Sequence, residues 1–356
     1  MGKRQRGVAV VLALVVVAVV GVLARGWWKD AHRSDLSRAL DVVPSATLRL
    51  SFTDWSAVRD QLGVHGTTTS SKRIATMIST AYDTDLSAVS SIDGSAVALQ
   101  KYFGFSPGTM DWEAYAQADA GATMVVRMPD DFDLGKVTAK LADLGFTKPK
   151  KSDGVWVGGT DLVAAIDPTI TPELQYVAVL ADKHLVVTSD GKGYAAKAAA
   201  VAAGRGRSLG DLAGARGAVD VLDEPVAAMF WSRDFACTDL AMSQATEDDQ
   251  DAADALVTKA GKITPLQGLV MALRPDRDLV VAERFGSAGE AKENLRARAR
   301  LAVGDAPGRG GSFSDDQRLT SSRTDGSSVL LTMRPKEKKG YVLSALDSGP
   351  LLFATC

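Results

Sequence analysis

One asparagine, three histidines and two cysteines are all that 356 residues contain of those types, and each scarcity removes a class of explanation. Asn294 is followed by Leu295 and Arg296, so no N-x-Ser/Thr glycosylation sequon exists. His32, His65 and His184 are far apart and at no metal-ligand spacing. With Cys237 and Cys356 as the only cysteines there is no C-x-x-C pair and no disulfide-dense scaffold. Nor is there a cysteine near the N-terminus to carry a lipid. G-x-S-x-G, H-E-x-x-H and P-loop signatures are absent as well. No cofactor and no metal are therefore expected. Formal net charge is −2, and about −5 once the first 24 residues are set aside. A mildly acidic chain without a basic stripe argues against a nucleic-acid partner.

The one long hydrophobic run is at the start. Lys3, Arg4 and Arg6 precede Gly7–Ala24, an 18-residue stretch without a charged or polar side chain, and Trp27 and Trp28 follow it. At about 1.5 Å per residue a helix of this length spans roughly 27 Å, close to a bilayer's hydrocarbon thickness. A secretory h-region is shorter, about 7–15 residues, and the tryptophans suit an interfacial belt. Residues 1–28 are expected to be a retained signal anchor that meets the membrane through residues 7–24. Cleavage after Val22-Leu23-Ala24 is the alternative. The expected location is the cell membrane, single-pass, with the C-terminal domain extracytoplasmic. Two cysteines in an exported chain suit one disulfide, Cys237–Cys356, against the alternative of two unrelated thiols.

Beyond the anchor, residues 29–44 read as a juxtamembrane helix with Ser34 as cap and Pro44 as terminator. A recurring unit follows: an apolar strand, a capping residue, an amphipathic helix. Its copies begin at Thr47–Phe52, Ala122–Met128, Val226–Trp231 and Leu279–Phe285. Hairpins are read at Trp112–Met128, Gln175–Thr188 and Leu266–Phe285, the last around Pro275-Asp276-Arg277-Asp278. Ser327–Met333 and Leu351–Thr355 supply two more strands, the last expected beside Val226–Trp231. These patterns predict an α+β fold, a mostly antiparallel sheet with helices packed on one face. Two similar halves, 45–215 and 220–356, are the finer division; a single continuous sheet is the alternative.

Few residues suggest chemistry. Ser189-Asp190-Gly191-Lys192 matches the S-x-x-K nucleophile motif, but no S-D-N or K-T-G accompanies it, and Asp-Gly after a strand reads as a turn. Gly204–Gly210 has dinucleotide-loop glycines after a helix, where that fingerprint needs a strand. Glu247-Asp248-Asp249 behind Thr246 fits a capped helix start. The aromatic group Phe103, Phe105, Trp112 and Tyr115 is the candidate ligand-binding rim; packing at one end of the core is its other reading.

The anchor, the strand–cap–helix units, the Leu-Val-Val-Thr-Ser-Asp step at 185–190 and the terminal Gly-Pro-Leu-Leu-Phe-Ala-Thr-Cys resemble membrane-anchored exported proteins of high-GC Gram-positive bacteria. The resemblance implies location and fold class and carries over no site residue. The expected function is non-enzymatic, binding or scaffolding in the cell envelope, with an envelope protein or a lipid as partner. The alternatives are a carrier of a lipid or other apolar ligand, and a cell-wall enzyme with a carboxylate site.

Overall fold

The computed structural model describes residues 33–337 and 341–356. The expected anchor, residues 1–28, lies outside the described residues. No helix among the described residues is long and apolar enough to cross a membrane.

Eleven strands form one sheet: β1 (Arg49–Asp54), β2 (Trp112–Ala118), β3 (Gly121–Arg127), β4 (Val155–Val157), β5 (Tyr176–Leu180), β6 (Leu185–Ser189), β7 (Ala227–Ser232), β8 (Gly268–Leu273), β9 (Leu279–Arg284), β10 (Gln317–Asp325) and β11 (Ser328–Pro335). Every pairing is antiparallel. The order across the sheet is β10-β11-β9-β8-β7-β1-β2-β3-β6-β5-β4. Two wings thus run outward from the central β1/β7 pair, where Leu50 lies opposite Phe230. The sheet is continuous from one wing to the other, and residues 213–219, where the finer division was drawn, are helical. The three hairpins form as read, with His184 and Arg277 in the left-handed region at the β5–β6 and β8–β9 turns.

The expectation of helices on one face is corrected: helices cover both. On one side α1 (Asp35–Ala39), α6 (Lys192–Ala202) and α7 (Ala213–Val219) pack over Leu50, Phe52, Val125, Phe230 and Val270. On the other lie α2 (Trp55–Gln61), α3 (Ser71–Asp83), α4 (Gly135–Asp143), α5 (Thr160–Ile166), α8 (Glu247–Ala260) and α9 (Ala288–Leu301), over Met124, Val126, Trp231 and Met271. The physical reason lies in the strands. Met124, Val125 and Val126 are all buried although alternate side chains point to opposite faces, which requires a cover on each. The Ala-rich α6 gives little amphipathic contrast, because alanine is tolerated against core and solvent alike.

Residues 33–44 also differ from expectation. Instead of a separate juxtamembrane helix, the short α1 and the turns after it bury Leu36, Leu40 and Val43 against the sheet. Pro44 bridges to Ser208, so the fold begins near Asp35.

The second correction concerns the C-terminus. Leu351–Thr355 is not a strand and does not lie beside Val226–Trp231, because β7 is flanked by β1 and β8. Leu352–Ala354 forms a single tight helical turn whose Leu352 and Phe353 are fully buried, Phe353 edge-on to Phe313 at 5.2 Å. An apolar run bounded by Pro350 has the composition of a buried strand, but here it is a plug. The Cys237–Cys356 disulfide is present, with Cα atoms 5.7 Å apart. It joins the plug to the helical turn after β7, whose Leu240 carbonyl accepts from the Leu351 N–H at 2.6 Å.

Candidate functional site

An apolar cleft of about 500 Å³ opens at the β4 end of the sheet. It lies on the face covered by α4. Leu134, Trp156 and Val179 form its buried floor, each no more than 5% exposed. Thr138, Ala139 and Ala142 of α4 form one wall. Lys148, Pro149 and Lys151, all in the loop after α4, form its lip.

Local sequence explains this shape. Val137 and Leu141 hold α4 on the core while Ala139 and Ala142 stay exposed, so the helix presents short side chains to the opening. Gly145, at φ +91°, ends α4 in the left-handed region. Thr147 then bridges to Val157 of the three-residue strand β4, covering that edge. Glycine is required twice more. A Cβ on Gly158 would stand 2.6 Å from the Phe146 ring, and one on Gly154 would stand 2.6 Å from the Pro149 side chain. Both close approaches fix the loop that carries the lysines. Residues 147–152, Thr-Lys-Pro-Lys-Lys-Ser, hold three cations and no acid. Asp153 next to them already pairs with Arg205 at 2.7 Å.

The structure separates the four aromatics read from sequence. Phe103 and Phe105 are fully buried, ring centroids 6.4 Å apart, and Phe103 stacks edge-on against Phe146 at 6.0 Å. Tyr115 is half-buried on the same face and donates to Glu173 at 3.0 Å; burial and that carboxylate raise its pKa. Trp112 points to the opposite face, 6.0 Å from Phe52, and borders a different cleft with Arg38, Arg127 and Lys183. They form no common rim. The residues that line the apolar cleft were missed, although a lone Trp between two valines and a lysine cluster after a helix stop were visible.

Three buried carboxyls need a chemical account. Glu113 accepts from Trp55 Nε1 at 3.0 Å and from the Ser91 N–H at 2.8 Å; burial pushes it up to about 7. Asp54 caps α2 through the Ala57 N–H at 2.8 Å and is likewise raised by burial to about 7. Glu283 sits 3.7 Å from Arg298 with neither side chain exposed, and burial raises it to about 7 against the pull of that guanidinium. Arg298 spends its donors on the carbonyls of Thr264, Phe353 and Thr355. Glu113 thereby ties β2 to Trp55 and Ser91, and Asp54 caps α2, whereas the Glu283 oxygens accept no hydrogen bond and face only the Arg298 guanidinium.

Ser189 is fully buried, its hydroxyl donating to the Ala122 carbonyl at 2.6 Å, while Lys192 opens α6 on the far side of the turn. Among the described residues, no three His, Cys, Asp or Glu side chains converge in a way that could hold a metal ion.

No family model and no curated protein matches the chain. Two solved structures, crystal forms III and I of TP0453, are similar to it at TM-scores of 0.41 and 0.36. Identity is 10% and 9%, over 86% of this chain and 96% of the other in both cases. A likeness at this level carries no function across.

Proposed function

We propose that this protein is a membrane-tethered, extracytoplasmic binding protein of the cell envelope whose ligand has an apolar body. The observation that supports the reading is the cleft over Trp156: about 500 Å³, within the range of small-molecule sites, with an apolar floor and a polar lip. Residues 7–24 would supply the tether, and the disulfide accords with an oxidising compartment. This cleft favours the carrier reading over scaffolding. The matching outward order of strands, β1-β2-β3-β6-β5 and β7-β8-β9-β11-β10, supports reading the two wings as related halves.

A neutral apolar dye, N-phenyl-1-naphthylamine, tests the site. Full-length protein in nanodiscs should bind it saturably near one to one beyond partition into empty discs. Ala139→Trp, which fills the cleft from α4, should abolish that component. Absence of saturable binding, or binding unchanged by the substitution, would contradict the reading.

A further inference from the structure

We infer that the ligand is an anionic single-chain amphiphile, its chain lying over Trp156 and its head group read by Lys148 and Lys151; this rests on the apolar-ligand reading above. The inference starts from a division of chemistry within the cleft. Everything buried is hydrocarbon or indole, and the cations stand only at the mouth. Lys148 and Lys151 both line the cleft and are exposed, and neither has an ion-pair or hydrogen-bond partner among the described residues. Some exposed cations elsewhere on the fold close on acids, as Lys262 does on Glu293 at 2.6 Å and Arg205 on Asp153 at 2.7 Å. Asp153, the acid next to the lip in sequence, is already matched by Arg205.

The loop is also held in place. The close approach of Gly154 to Pro149 and the Thr147–Val157 bridge fix both ends of the lysine segment at the sheet edge. A positioned pair of ammonium groups at the end of an apolar trough suits a chain with a terminal carboxylate or phosphate, a head group that stays in water beside them while the chain is desolvated. The volume suits one chain. A cationic head would meet like charge, and a neutral one would leave both lysines without a partner.

The test uses full-length protein in nanodiscs and four ω-bromoundecyl probes that differ only in the head: carboxylate, phosphate, alcohol and trimethylammonium. Bromine quenches indole at contact. The part of the quenching lost in Trp156→Phe isolates the cleft from probe dissolved in the bilayer. The two anions should quench Trp156 with about five- to tenfold greater affinity than the alcohol, as expected for two exposed charge contacts. Lys148→Ala combined with Lys151→Ala should bring the anions down to the alcohol's level and leave the alcohol unchanged, which also shows that the cleft remains folded. A preference for carboxylate over phosphate, or the reverse, assigns the source of the charge within the proposal. If the alcohol or the trimethylammonium probe binds as well as the anions, the anionic ligand is refuted and the apolar site stands. If no probe gives Trp156-dependent quenching, both are refuted.

Discussion

Glu113 shows how far one residue departs from its exposed behaviour. It stands on β2 with its carboxyl on the face covered by α2, holding Trp55 and the backbone of Ser91. In water its value would be 4.5; burial raises it to about 7 in the folded protein. The folded state therefore binds the proton more tightly than the unfolded chain. Its contribution to stability is fully present below pH 4.5 and is lost as pH rises through about 7, amounting to roughly 3 kcal/mol over that window. Denaturant unfolding of wild type and Glu113→Gln at pH 5 and pH 8 checks this. Wild type should lose stability between the two, with Asp54 and Glu283 contributing in the same direction, and the variant should lose measurably less. An equal loss in both proteins would remove Glu113 from the account.

At the scale of elements, the C-terminal plug depends on contacts distant in sequence. The Asp85 carboxylate accepts from the Val342 and Leu343 N–H groups at 2.7 and 2.6 Å. Arg298 caps the last carbonyls, and the disulfide closes a loop of 119 residues. Opening that loop relieves the unfolded chain of a restraint worth about 4–5 kcal/mol in the entropy model. Cys356→Ser should lower stability by an amount of that order, and amide exchange should rise first in residues 341–356. Unchanged protection of Leu351–Phe353 would contradict the plug's dependence on the bond.

The same elements show what was legible. Strands with dense β-branched or aromatic content, such as Thr-Met-Val-Val-Arg at 123–127 and Leu-Val-Val-Ala-Glu-Arg at 279–284, stand within a residue or two of where the pattern puts them. The Thr246 cap holds, accepting from the Asp249 N–H three residues on, and Ser287 caps α9 from the Glu290 N–H in the same way. β10 was hidden because an edge strand is mostly exposed and reads as a polar loop, Gln-Arg-Leu-Thr-Ser-Ser-Arg-Thr-Asp. α3 was hidden because only Ile74, Met77 and Ala81 mark its buried stripe. The cleft was illegible as a site: Trp156 on β4, Ala139 on α4 and Lys151 in the loop meet only through the sheet's edge geometry, which no local pattern encodes.

For the molecule as a whole, the central β1/β7 pair is decisive. Each strand loses one of its two ladders if the chain is cut near residue 218, exposing Leu50 and Phe52 on one side and Phe230 on the other. Residues 33–218 and 219–356 expressed separately should be unfolded or aggregated, and co-expression should restore a folded complex. Independent cooperative unfolding of either fragment would show that the wings are autonomous.

The most direct test of the central claim is native mass spectrometry of the full-length protein, extracted in mild detergent from its own cells, beside Ala139→Trp. A discrete adduct on the wild type that leaves on activation as an acidic single-chain species, and that is missing from Ala139→Trp, is the expected result. A bare wild-type mass, or an adduct that survives the substitution, would contradict a ligand seated over Trp156.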